Sequence, residues 1–66
     1  MTDQFTAGFE AGLKAAKDYA PLVPSEICEL VGVDLYDGPE DAWDEGFIDG
    51  VYEDWEAKLR AERGIS

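Results

Sequence analysis

Thirteen of the chain's sixteen carboxylates, from Asp18 to Glu56, lie between Lys17 and Lys58, in a stretch without a single basic residue. Carboxylates in such numbers can pass protons as paired acids and bases, hold hard cations, or present negative charge to a partner. Proton transfer needs a cleft to hold the pair, and 66 residues leave little room for a pocket of the usual ~300–1,000 Å³. There is no histidine base, Gly-rich phosphate loop or activated nucleophile, so the chain reads as a protein that is not an enzyme.

Cation binding fares little better. Asp34, Asp37, Glu40, Asp41 and Asp44 are close in sequence, but the spacing of a calcium-binding EF-hand loop is not there. Zinc would need ligands that a chain with no histidine and one cysteine does not offer. No metal or cofactor is expected.

Charge presentation remains. At about 100° per residue, Glu45, Asp49, Glu53 and Glu56 fall within an arc of roughly 80° on one helix, about one carboxylate per turn. Their spacing of about 6 Å resembles that of successive phosphates along a nucleic-acid strand. The like-charge neighbours Glu45/Asp49 and Asp49/Glu53 each destabilise a helix by about 0.2–0.5 kcal/mol, so something other than folding stability favours the arrangement. Asp37, Glu40, Asp41 and Asp44 could extend the stripe at its N-terminal end, where the helix dipole favours acids in any case.

The elements that must carry these groups are helical. Phe5, Phe9 and Leu13, with Ala16 and Ala20 beyond, follow the spacing of one helix face, which predicts a helix from about Asp3 to Tyr19 capped by Thr2 or Asp3. Pro21 and Pro24 bracket a link, Ser25 can cap a short helix over Glu26 to Val31, and Gly32 stops it. That helix should offer Ile27, Leu30 and Val31 to the core. Val33 to Tyr36 alternates like a strand but has no partner strand, so it is an extended connector. Asp37-Gly38-Pro39 is a turn, from which a long helix should run to about Glu62 and end at Gly64, with Trp43, Phe47, Val51, Trp55 and Leu59 as its apolar ridge. The expected fold is all-α: one small three-helix domain over residues 1–66.

AGFEAG and EGFIDG each set two glycines one turn apart, Gly8 and Gly12 in the first long helix, Gly46 and Gly50 in the last. Each glycine weakens a helix by about 1 kcal/mol relative to alanine, so the pairs call for a compensating use. Close crossing of the two long helices is that use, with a homodimer contact through one pair as the alternative. The matching segments also hint at an internal duplication.

With a formal net charge of −11, the chain would be repelled by anionic membranes and by nucleic acid. SEICELVGVD resembles the first helix and turn of a helix-turn-helix domain, but the following helix would turn acids toward phosphates, so no direct nucleic acid is expected as a partner. The lone Cys28 reads as a small buried hydrophobe in a reducing cytoplasm. No apolar run reaches the ~20 residues that cross a bilayer, and MTDQF lacks the features of a signal peptide.

In size and composition the chain, chiefly Asp34 to Glu56, resembles small phage-encoded DNA mimics that block host defence, including anti-CRISPR and antirestriction inhibitors. The resemblance implies a cytoplasmic inhibitor, monomer or homodimer, that occludes the basic DNA/RNA-binding groove of a CRISPR effector complex, a restriction enzyme or a similar protein. It implies Glu45, Asp49, Glu53 and Glu56 as central contacts and Glu40, Asp41, Asp44 and Asp54 as peripheral ones. The competing expectation is an acidic protein–protein interaction module, such as an antitoxin, immunity-like or assembly partner, that binds through the aromatic ridge. A halophilic domain, folding only in molar salt, is a third.

Overall fold

A computed structural model describes residues 3–35, 38 and 40–63. They form three helices, α1 (Gln4–Asp18), α2 (Pro24–Val31) and α3 (Ala42–Glu62), and no strand among the described residues. The all-α expectation holds. Asp3 caps α1 through its carboxylate, which accepts from Phe5 N, and Asp41 caps α3 by accepting from Asp44 N at 3.0 Å.

Two boundaries differ from the sequence reading. α2 starts two residues earlier, with Val23 at the N-cap and Pro24 as the first helical residue, because proline's fixed φ suits that position. Glu26 Oε1 reaches back to accept from Val23 N, so Ser25 is not the cap. α3 begins at Ala42 beside its Asp41 cap rather than near the proline. Gly32, in the left-handed conformation at φ 90°, ends α2 as expected. Tyr36, Asp37, Pro39 and Gly64 lie outside the described residues, so the turn and stop assigned to them do too.

The core also departs from the simplest reading of the pattern. Phe5, Phe9 and Leu13 are only half-buried, whereas Gly8, Gly12, Ala15 and Ala16 are the buried residues of α1. On α3 the buried residues are Gly46, Phe47, Gly50 and Val51. A methyl group on Gly8 would run into the carbonyl of Trp43, with its carbon 2.8 Å away; on Gly12 it would meet the carbonyl of Phe47 and Val51 N at 2.9 Å. Conversely, Gly46 faces the Phe5 carbonyl and Gly50 the Phe9 carbonyl.

The long helices therefore meet backbone to backbone, and each glycine turns a Cα–H toward a carbonyl oxygen of its neighbour. Such contacts contribute about 0.5–1 kcal/mol each, enough to offset the helical cost of the glycine. The order of the contacts, Gly8 near Trp43 and Phe47, Gly12 near Phe47 and Val51, makes α1 and α3 parallel. Stacked ring pairs, Phe5 with Phe9 and Trp43 with Phe47, line the flanks.

Parallel helices need a return connection, and α2 lies within it. Ile27 and Cys28 on α2, together with Val33, close the core around Phe47, Val51, Ala15 and Ala16. Leu30 and Val31 do not join them: Leu30 is 63% and Val31 40% exposed. α2 is too short to present more than one side, and Pro24, Ile27 and Cys28 occupy that side. Burial pushes the Cys28 thiol pKa above its ordinary value.

Candidate functional site

The seam that joins α1 to α3 fixes which side of α3 faces water. Glu45, Asp49, Glu53 and Glu56 are all exposed, while Phe47 and Val51, on the other side of the same turns, are 2% and 0% exposed. Four carboxylates thus stand along about 16 Å of helix, on an element whose position is set by contacts between main chains. Long-range order of this kind is what a row of charges needs if its spacing is to be recognised.

The peripheral acids separate into three kinds. Glu40 and Asp41 are exposed ahead of α3, and Asp41 is committed to its capping bond. Asp44 is half-buried in the first turn, where its charge complements the helix dipole. Asp54 lies about half a turn of the wheel away from the stripe, its side chain 14% exposed, with Lys58 Nζ 3.2 Å from Oδ2. Lys58 gives its hydrogen bond to the Ala16 carbonyl instead, so Asp54 Oδ2, shut off from solvent, has a neighbouring charge but no hydrogen bond. The structure brings Glu45, Asp49, Glu53 and Glu56 together and sets Asp54 apart from them.

At its C-terminal end the stripe changes sign. Arg60 falls within the same arc of roughly 80°, four residues after Glu56, and its charge suits the end of a helix. The apolar ridge, by contrast, is mostly turned inward: Phe47 and Val51 are buried against α1, and Trp43 is half-buried. Tyr52 and Trp55, in an edge-to-face pair with centroids 6.2 Å apart, are the aromatic residues of α3 nearest to the stripe that keep some exposure beyond the seam.

One feature was not readable from spacing. Beside the end of α1 at Ala16, the last turns of α3 stand off from α2 and leave a groove of about 450 Å³, with Trp55 and Leu59 on one wall and Ala20, Leu22 and Ile27 on the other. Its walls come from three parts of the chain, so no local pattern encodes it.

Among the described residues, no three carboxylate or cysteine groups gather closely enough to hold a metal ion, and no helix is long and apolar enough to cross a membrane. No protein-family model, no curated protein and no solved structure matches the chain.

Proposed function

We propose that the protein is an anionic mimic of a nucleic-acid strand, acting without catalysis to occupy the basic groove of a DNA- or RNA-binding protein. A host-defence protein such as a CRISPR effector complex or a restriction enzyme is the kind of target that this chemistry suits. The observation that carries the reading is the exposure of Glu45, Asp49, Glu53 and Glu56 along one side of a helix whose opposite side is locked to α1.

Each carboxylate would meet a lysine or arginine that otherwise holds a phosphate. Oppositely charged surfaces steer encounter, so association would be fast at low salt and slow as salt screens the stripe, with a Debye length of about 10 Å at 0.1 M. Asp54 has no part in this contact, because it is paired with Lys58 on the other side of α3. The rival reading, binding through the aromatic ridge, is weakened by the burial of Phe47 and Val51.

The test is competition. The protein is titrated into a complex of a nucleic-acid-binding defence protein with labelled DNA, and release of the DNA is followed at two salt concentrations. Release by the wild type, lost in Asp49→Lys/Glu53→Lys with helicity intact, supports the mimic. Equal release by that double variant, or release that does not weaken with salt, refutes it.

A further inference from the structure

Asp54 is left with a demand that the folded chain does not meet. Its side chain is 14% exposed, and Oδ2 is shut off from solvent without a hydrogen bond. A carboxylate oxygen in that position calls for a donor. Lys58 Nζ stands 3.2 Å from it but donates to the Ala16 carbonyl, at 3.3 Å. Two acceptors thus converge on one ammonium, and only one of them is served.

Both acceptor residues line the groove of about 450 Å³ beside Trp55, a volume within the ~300–1,000 Å³ of small-ligand sites. Its apolar walls are Trp55 and Leu59 on one side and Leu22 and Ile27 on the other, and Glu62 adds a second acid. Past Leu22 the surface continues to Leu30, 63% exposed, which shares a shallow depression with Glu26 and Glu29. Apolar surface framed by acids, on a chain of net charge −11, suits a cation with an apolar body and repels an anion.

We propose that the groove is a docking site for an arginine side chain of a partner protein. The guanidinium sits between Asp54 and the Ala16 carbonyl, and its stem and an apolar neighbour on the same segment lie along Trp55, Leu59 and Leu22. Lys58 is the resident stand-in: its side chain is 46% exposed, so it can swing into water when the guanidinium arrives. An ammonium is a compact point charge, whereas a guanidinium is a planar fork of five donors that serves carboxylate and carbonyl together. Its plane also stacks on indole, the best of the aromatic faces for a cation. Tyr52 steadies the Trp55 ring edge to face at 6.2 Å. The Ala16 carbonyl belongs to the last turn of α1, where carbonyls lack helical donors and accept from outside. This site is on the side of α3 turned away from the stripe, so it stands whether or not the stripe mimics a nucleic acid.

The probe is a blocked leucyl-arginyl-leucine peptide, followed by the nuclear magnetic resonance shift of the Trp55 indole N–H, with the Trp43 indole as internal reference. At about 0.15 M salt the Trp55 signal should shift saturably with a Kd of ~0.1–1 mM while Trp43 stays in place. The citrulline peptide, of the same shape but neutral, should bind at least ~10-fold more weakly. Asp54→Asn should weaken the arginine peptide by about tenfold, and Glu53→Gln, the same charge change next door but outside the groove, should leave it within about twofold. Lys58→Ala should tighten binding by about threefold or more by removing the competitor, beyond any effect of Arg60→Ala.

No saturation up to ~5 mM, or equal binding of the citrulline peptide to the wild type, overturns the proposal without recourse to any variant. Equal losses in Asp54→Asn and Glu53→Gln reduce the effect to general attraction and overturn it too, as does weaker binding by Lys58→Ala. Free arginine covers little of the apolar wall and brings its own carboxylate into an acidic field; if it binds as tightly as the peptide, a partner protein is not the source of the side chain.

Discussion

On the side of α3 that faces α1, Gly46 and Gly50 bring main chains into contact and no side chain larger than hydrogen fits. On the opposite side, Glu45, Asp49, Glu53 and Glu56 are exposed to solvent. The inner side is governed by shape and short distances, the outer side by charge that acts over several ångströms through water. One helix thus has a face on which a single methyl group matters and a face on which folding would gain from replacing what is there. A difference of this kind separates residues kept for the fold from residues whose use lies elsewhere.

The largest effect should come from breaking the inner side. Gly8→Ala/Gly12→Ala gains roughly 2 kcal/mol of helix propensity, but it forces α1 away from carbonyls that cannot rotate aside. Overpacking costs about 1–3 kcal/mol per site, occasionally more. Loss of the seam removes the main contact of a domain whose core supplies only about 3–5 kcal/mol at this size. Thermal melts followed by circular dichroism should show no cooperative transition at room temperature or above.

A smaller effect is expected where a polar tie joins α3 to the end of α1. Lys58→Met removes the bond to the Ala16 carbonyl and leaves the half-buried Asp54 without its counter-charge. With the Lys58 side chain about half exposed, the loss should be about 0.5–1 kcal/mol, seen as a lower urea midpoint at unchanged slope.

The outer side should respond with the opposite sign. Glu45→Gln/Asp49→Asn/Glu53→Gln removes two like-charge pairs and should stabilise the fold by about 0.5–1 kcal/mol at low salt. The gain should shrink in 0.5 M salt, where the Debye length is only about 4 Å. The same substitutions should weaken displacement of DNA from a target. If they lower stability instead, the stripe is part of the fold and the contrast between the two faces fails.

The smallest effect concerns Cys28. Its thiol pKa is raised above 9.0 by burial, so the folded chain holds a proton that the unfolded chain releases. The contribution is fully present below the unfolded pKa and is lost as pH rises from about 9 through the folded value. Cys28→Ala should flatten the alkaline fall in stability between pH 8 and about 10, and the wild-type thiol should react with disulfide reagents only as fast as the core opens.

Much of this was legible in the chain before any tertiary contact was known. Helix positions followed from the spacing of Phe5, Phe9, Leu13 and of Phe47, Val51, Trp55, because apolar residues every three or four positions mark one side of a helix. The stripe from Glu45 to Glu56 followed from the same geometry. Periodicity ranks residues by apolar surface, however, and it therefore set Phe5, Phe9 and Leu13 on the inner line when Gly8 and Gly12 occupy it. It also expected Leu30 and Val31 inside, where α2 has room only for Ile27 and Cys28.

What the sequence determined was local: three helices, a cap for the first at Thr2 or Asp3, an excess of negative charge, and two glycine pairs that could admit another backbone. Each of these depends on residues within a turn or two of one another. The parallel course of α1 and α3, the bond from Lys58 to the Ala16 carbonyl and the groove beside Trp55 were decided only by the folded chain. They arise from which main chains approach across some forty residues of sequence, and at that separation short-range steric contact leaves no periodic trace.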